Sequence, residues 1–223
     1  METFSNIYPL MALGYTGYFI ISYIYNLIKI NTLVDTLNSF KAFKLINTKH
    51  ISGILLFGTG FWVFFSDFRF LIFNSGFNDS IGSILLLITI IISAFLSKKS
   101  ASKYFWDLDT SSIVKFREQI LYFSIRIPFL FFYELFFRGI LLHSSLIFTN
   151  LIGAIFINLI LYTLIHSFNS RREIIGCIPF GTVLCLFSYY TNSIWPAFLI
   201  HTTLSFMYES TLFKITSLKT QKS

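Results

Sequence analysis

Charged residues are scarce in this sequence. Asp, Glu, Lys and Arg make up 12% of its 223 residues, against about 25% in ordinary soluble domains. Hydrophobic residues make up 55% of the chain, and the mean hydropathy is +0.71. So little charge could not cover the surface of a soluble domain of this length. The composition therefore predicts an all-α integral membrane protein, a polytopic helical bundle.

Cysteine pairs and metal-binding cysteine motifs are also missing. The two cysteines, Cys177 and Cys185, are eight residues apart in one apolar run, too far for a disulfide within a helix. No CxxC pair occurs, and no HExxH pattern predicts a conventional zinc-protease helix. The N-terminus has neither the basic region nor the small-residue cleavage site of a signal peptide. We therefore expect the first apolar run to be retained as a span.

Long apolar runs predict about seven transmembrane helices in a single domain over residues 1–223. The predicted spans are residues 7–28, 51–73, 81–97, 120–148, 151–168, 174–190 and 194–213. Residues 1–119 carry no motif, residues 120–213 carry the polar motifs, and residues 214–223 are expected to form a basic cytoplasmic tail. Residues 29–50 are predicted to be a polar loop with an interfacial helix.

Basic residues are unevenly distributed among the connections. Fourteen of the 17 Lys and Arg residues fall in alternate connections, none falls in the others, and the remaining three lie within predicted spans. The positive-inside rule then predicts a cell-membrane protein with its N-terminus outside and its C-terminus cytoplasmic. Because topology and lipid headgroups explain the net charge of +7, we expect the lipid bilayer, and no nucleic acid, as a partner.

The chain is organised around residues 133–139, Tyr-Glu-Leu-Phe-Phe-Arg-Gly, inside the fourth predicted span. On a helix, Glu134 and Arg138 share one face, with the acid on the N-terminal side, the better order for an ion pair. Each charge costs about 2.5–3.5 kcal/mol at the centre of a span. A retained pair therefore predicts a functional site, and a purely structural ion pair is the alternative.

Three of the four histidines also lie in predicted spans. His143, nine residues after Glu134, falls on roughly the opposite face at about 100° per residue, which favours a core histidine bonded to the backbone. His166 and His201 could each be core residues too. Together with Glu134, however, they supply a carboxylate and two imidazoles on three spans, which suits acid–base chemistry or a metal site. Ser205 follows His201 by one turn.

Three segments resemble the motifs of the CPBP (CAAX-processing and bacteriocin-processing, Abi-type) intramembrane proteases. Residues 134–142, Glu-Leu-Phe-Phe-Arg-Gly-Ile-Leu-Leu, are similar to the first motif, Glu-Glu-x-x-x-Arg. Residues 162–166, Tyr-Thr-Leu-Ile-His, are similar to the second, an aromatic residue followed by His after three positions. Residues 193–201, with Ser-Ile-Trp-Pro leading to His, resemble the approach to the third, His-x-x-x-Asn. The similarity covers about residues 126–206.

The resemblance implies an endopeptidase that hydrolyses a membrane-associated, lipidated or prenylated peptide substrate. It implies that His166 holds or activates the attacking water, that His201 polarises the carbonyl, and that Glu134 and Arg138 frame the site. Ser205 replaces the motif Asn, and its hydroxyl can still donate a hydrogen bond over a shorter reach. The resemblance leaves room for a divalent metal such as zinc, which Glu134, His166 and His201 would hold.

Position 133 departs from the family pattern, because Tyr133 stands where the motif has its first Glu. A phenol is a poor base at neutral pH, since its ordinary pKa is near 10. Either Glu134 takes over the base role, or the chain is a catalytically impaired relative with a peptide-binding, bacteriocin-immunity or regulatory role. A proton-coupled transporter is a third alternative, which no internal repeat supports.

The predicted spans also place the site residues at different depths. His166 falls roughly 10 Å closer to the cytoplasm than Glu134 and His201, at 1.5 Å per residue. To bring the three together, the fifth span would have to extend past Asn169 or tilt.

Overall fold

The computed structural model describes residues 7–39, 42–63, 65–75, 80–105, 108 and 114–220. Within these ranges every regular element is a helix, so the all-α prediction is confirmed. The helices are α1 (Ile7–Leu27), α2 (Leu33–Leu37), α3 (Phe43–Val63), α4 (Phe65–Phe68), α5 (Phe70–Phe73), α6 (Ser80–Ser102), α7 (Phe116–Glu134), α8 (Leu142–Ser145), α9 (Leu151–Ile165), α10 (Arg171–Thr191) and α11 (Trp195–Thr220).

Five helical stretches in the described part of the chain are long and apolar enough to cross a membrane. They are Ile7–Leu27, Ser80–Phe105, Phe116–Ser145, Leu151–Phe168 and Arg171–Thr191. Helices α3 and α11, of 21 and 26 residues, are as long but are not among these five. A multi-pass membrane bundle is therefore confirmed, and the number of seven spans stays a prediction.

The bundle exposes many large apolar side chains and buries some polar ones, as a lipid environment favours. On α6 the exposed side chains include Ile84, Ile88 and Ile91. The buried Ser97 on the same helix donates a hydrogen bond to the carbonyl of Leu204 on α11, at 2.6 Å. Helix α6 packs extensively along α11, so its polar stripe faces protein and its isoleucines face outward.

The predicted loop over residues 29–50 is wrong in its second half. Helix α3 begins at Phe43, and its residues Lys49 and His50 are buried in the bundle. Lys49 Nζ donates to the backbone carbonyl of Asn31 at 3.2 Å, and His50 Nε2 lies 3.2 Å from Arg126 Nη1. Lys49 bonds across the segment to Asn31, and His50 contacts Arg126 on another helix, so local polarity alone suggested a loop.

The predicted basic tail is also partly helical. Helix α11 continues to Thr220, so residues 214–220 belong to it rather than to a tail. Lys219 Nζ donates to the carbonyl of Leu108 at 2.8 Å, which ties this end of α11 to the connection before α7. Residues 221–223 lie outside the described ranges.

Close packing of α3 against α7 positions the motif helix. A Cβ on Gly53 of α3 would lie 2.3 Å from a ring carbon of Phe129 on α7, so only glycine allows this approach. The ring of Phe57, one turn further along α3, lies 5.5 Å from the ring of Tyr133, centroid to centroid. The described first half of the chain therefore packs directly behind the motif, although it carries none of the motif residues.

Candidate active site

The motif helix changes its hydrogen-bonding pattern at the motif itself. Beyond its last residue, α7 continues as a π-helix over Leu135–Leu141 before α8 begins. The carbonyl of Phe137 accepts a hydrogen bond from Asn158 Nδ2 at 2.5 Å, and that of Arg138 accepts one from Ser188 Oγ at 2.9 Å. Side chains of α9 and α10 thus satisfy carbonyls in this wide turn, which membrane-buried backbone requires.

Replacing Asn158 by Leu should lower the free energy of unfolding by about 1–3 kcal/mol, because the Phe137 carbonyl would lose its side-chain donor while still buried. Thermal unfolding of the detergent-solubilised protein measures the change. Thr182→Val is a matched control, because the exposed Thr182 hydroxyl bonds only to a carbonyl of its own helix. An Asn158→Leu protein as stable as the Thr182→Val protein would contradict this account of the π turn.

Glu134 and Arg138 form the ion pair that their spacing predicts. Arg138 Nε lies 3.3 Å from Glu134 Oε2, and both side chains are 0% exposed. The guanidinium carbon lies 4.1 Å from the ring centroid of Tyr162, a cation–π contact that gives the buried cation a second partner. A Cβ on Gly181 would come within 3.2 Å of Arg138 Nη2, so this glycine makes room for the guanidinium.

The second oxygen of Glu134 binds His201. His201 Nδ1 hydrogen-bonds to Glu134 Oε1, and a carboxylate can only accept, so the proton lies on Nδ1. Nε2 of His201 is then the nitrogen with a free lone pair. His201 lines a large cavity, whereas the fully buried Glu134 is not part of its lining. A carboxylate behind a cavity-facing imidazole is the arrangement that orients a catalytic base.

Tyr133 and His166 meet on the same cavity wall. Tyr133 Oη lies 3.2 Å from His166 Nε2, and the ring centroid of Tyr133 lies 5.9 Å from that of His201. The structure thus brings His166 and His201 together without extending α9, which ends at Ile165 and is followed by a short 3₁₀ turn. The ring of Tyr133 lies between them and contacts both imidazoles.

The two remaining candidate residues lie in different places. Ser205 is buried and lines the cavity, as His201 does one turn earlier. His143 instead points away from the cavity: its Nδ1 lies 3.0 Å from the carbonyl of Gly139, and its ring contacts that of Phe70. The interpretation of His143 as a core histidine is confirmed.

A family model described as type II CAAX prenyl endopeptidase Rce1-like matches residues 118–207. The resemblance to the CAAX-processing intramembrane proteases is confirmed. The Rce1-like match runs from the first turn of α7 into α11 and includes all three motif segments, whereas α1 to α6 lie outside it. No curated protein and no solved structure matches the chain.

A second polar cluster lines the same cavity beside the motif residues, and its members were not among the candidate residues. Arg126 Nε is 3.0 Å from Glu209 Oε1, and Arg126 Nη1 is 3.2 Å from His50 Nε2. A signal for two of them was present in the sequence, because Arg126 and Glu209 are charged residues within predicted spans. His50 had no such signal, since it fell in the predicted loop.

The donor set of the candidate site does not fit a metal ion. Among the residues that the structure describes, no group of three or more His, Cys, Asp and Glu side chains could hold one. One oxygen of Glu134 faces His201, and the other faces the cationic Arg138, which would repel a second cation. Nδ1 of His166 faces the side-chain amide of Asn169. The zinc expectation therefore gains no support from this geometry.

Proposed function

We propose that this protein is an intramembrane endopeptidase that hydrolyses a membrane-associated or prenylated peptide. The observation that carries the proposal is the meeting of Tyr133, His166 and His201 on one cavity wall, with Glu134 bonded behind His201. The Rce1-like match over the same helices supports the reaction class. The expected location is the cell membrane, with the N-terminus outside and the C-terminus cytoplasmic.

The proposed base is His201 rather than Glu134. Glu134 accepts the Nδ1 proton of His201 and leaves Nε2 free to take a proton from a water in the cavity. Arg138 balances the charge of the carboxylate from its other side. This differs from the roles that the resemblance implies, in which His166 activates the water and His201 polarises the carbonyl.

The proposed oxyanion donors are Tyr133 and His166. Water attacks the peptide carbonyl carbon as its proton passes to His201 Nε2, and the carbonyl oxygen takes up the negative charge. The Tyr133 hydroxyl and His166 Nε2–H stabilise that oxygen. The C–N bond then breaks, and His201 returns the proton to the leaving amine. The buried hydroxyl of Ser205 is a further donor on this wall.

The cavity suits an amphipathic substrate. Its volume is about 990 Å³, at the upper end of the usual range for ligand pockets. Apolar side chains of α6 and α10, including Ile92, Leu96 and Phe180, line one part of it, and the polar residues line another. A peptide backbone at His201 with a hydrocarbon chain along the apolar part would satisfy both surfaces.

The test is cleavage of a fluorogenic, prenylated peptide by the purified protein in lipid vesicles. The natural chain should cleave it, and His201→Gln should lower kcat by roughly 10⁴-fold, the scale of losing an oriented base. His143→Gln is the matched control, because Gln can still donate to the Gly139 carbonyl away from the cavity. Equal cleavage by the natural and His201→Gln proteins would refute the proposal.

One observation favours the alternative, a catalytically impaired relative that binds peptide in an immunity or regulatory role. At the wall formed by His166 and His201, position 133 presents a phenol where the family motif has a carboxylate. In that case the natural chain should bind the prenylated peptide and release it intact. Tyr133→Glu should then create cleavage, whereas under our proposal Tyr133→Glu should lower it, because an oxyanion donor is lost.

A further inference from the structure

A hydrogen-bonded relay runs from Lys49 on α3 to His166 at the cavity. Lys49 Nζ donates to Asn31 Oδ1 at 2.5 Å, and Asn31 Nδ2 donates to Asn169 Oδ1 at 2.8 Å. Asn169 Nδ2 lies 3.1 Å from His166 Nδ1, and His166 Nε2 lies 3.2 Å from Tyr133 Oη. Three side chains thus lead from the interior of the bundle to one nitrogen of the candidate catalytic histidine.

The direction of the relay is set at its Lys49 end. The charged ammonium of Lys49 has only donors, so Asn31 must present its oxygen to Lys49 and its NH₂ group to Asn169. Asn169 must then accept with its oxygen and present its NH₂ group to His166. The amide NH₂ group is only a donor, so His166 Nδ1 must accept. In the neutral imidazole, the proton then lies on Nε2.

The relay is held in place at its Lys49–Asn31 end. Lys49 is buried, and its Nζ also donates to the backbone carbonyl of Asn31. The backbone N–H of Asn31 donates to Asp35 Oδ2 at 3.1 Å, and the same oxygen accepts from the backbone of Thr32 at 2.8 Å in the capping box of α2. Neither Asn31 nor Lys49 can therefore turn without breaking several contacts.

We propose that Lys49, Asn31 and Asn169 are positioning residues that keep His166 in the tautomer with Nε2–H directed at the cavity wall. This rests on the proposed function and explains how His166 serves as an oxyanion donor there. Two of the three residues, Asn31 and Lys49, lie outside the segment that matches the Rce1-like model. The N-terminal half would then supply part of the active site that the motifs do not contain.

The test reads the tautomer directly, by ¹⁵N NMR of the full-length protein labelled at histidine. The His166 signals are assigned by their disappearance in His166→Gln. The natural protein should show Nδ1 unprotonated and Nε2 protonated at His166. A protonated Nδ1 in the natural protein would overturn the proposal, whether or not the protein cleaves peptide.

Two variants then test the relay itself. Lys49→Met frees both amides to turn, so His166 should become a mixture of tautomers, and kcat should fall towards the roughly 10²-fold loss of one oxyanion donor. Asn31→Leu, which breaks the relay in the middle, should do the same. An unchanged, pure Nε2–H tautomer in both variants would overturn the role of the relay.

A matched control separates the relay from general effects of the substitutions. Asn150→Asp changes an Asn at the start of α9, where Asn150 Oδ1 caps the helix and Asp caps equally well. It should leave the His166 tautomer and kcat unchanged. The tautomer is observed without turnover. The expected tautomer without any cleavage would therefore contradict the proposed function but not the relay. Cleavage together with the opposite tautomer would contradict the relay but not the proposed function.

Discussion

Glu134→Gln is expected to lower kcat by roughly 10²–10⁴-fold with little change in KM, the range for disabling an oriented acid–base group. The amide keeps the shape of the carboxylate but loses the charge that stabilises the protonated His201 during the reaction. It can also offer an NH₂ group to His201 Nδ1, which would put the imidazole proton on the wrong nitrogen. Steady-state kinetics in vesicles with a prenylated peptide provide the measurement.

The control for this variant is Glu118→Gln, at the start of the same helix. Glu118 accepts a hydrogen bond from the backbone of Lys115 in a capping box, and Gln serves that role equally well. Its kcat should match that of the natural chain. If Glu134→Gln also kept full kcat, Glu134 would not orient the base, and the assignment of His201 would fall with it.

The same kinetic experiment also distinguishes the two assignments of roles to His166 and His201. His166→Gln retains a side-chain donor at the oxyanion, whereas His201→Gln removes the proposed base. We therefore expect His201→Gln to be the slower of the two variants. The opposite order would restore the roles that the family resemblance implies.

Arg138→Met is expected to lower the free energy of unfolding by about 3–5 kcal/mol, because it leaves the fully buried Glu134 without its charge partner. It also removes the cation from the face of Tyr162. The double variant Glu134→Gln/Arg138→Met should lose less than the sum of the two single losses, with a coupling of about 0.5–3 kcal/mol. Unfolding of the four proteins of this cycle in detergent gives the coupling.

Arg117→Met serves as the control for charge removal on the same helix. Arg117 is exposed near the start of α7, and its substitution should change stability by no more than about 0.5 kcal/mol. Strictly additive losses for Glu134 and Arg138 would show that the two side chains do not interact. The contact of Arg138 Nε with Glu134 Oε2, at 3.3 Å, would then contribute nothing to the free energy of unfolding.

The sequence contains enough to predict the helical bundle and the residues of the motifs. Apolar runs long enough to span a bilayer predict helices, because lipid leaves backbone groups no other partners. The spacing of Glu134 and Arg138 predicts their pairing, because residues four apart lie on one face of a helix. The bond between Glu134 and His201 could not be predicted from spacing, because 67 residues separate them and only helix packing brings them together.

Other parts of the site depend on orientations that local patterns do not contain. Tyr133 and Glu134 are neighbours in the chain, yet only Tyr133 lines the cavity. Which of the two faces the cavity is set by the packing of α7 against α3, including the close approach at Gly53. Lys49 and Asn31 appeared to belong to a polar loop, because Lys49 bonds to Asn31 from a distant position of the same segment and Asn31 bonds to Asn169 in the other half of the sequence.

The π-helix over Leu135–Leu141 also divides the motif helix into two segments with different helical registers. A π turn holds roughly one residue more than the α turn it replaces, so the helix before it and the helix after it follow different registers. Deleting a single residue there would give one continuous α-helical register. The part of the helix after the deletion would rotate by about 100° relative to the part before it. Ser188 and Asn158 would then face the wrong carbonyls, although every motif residue would still be present. A one-residue gap at this point in a related sequence therefore predicts a motif helix without the π turn.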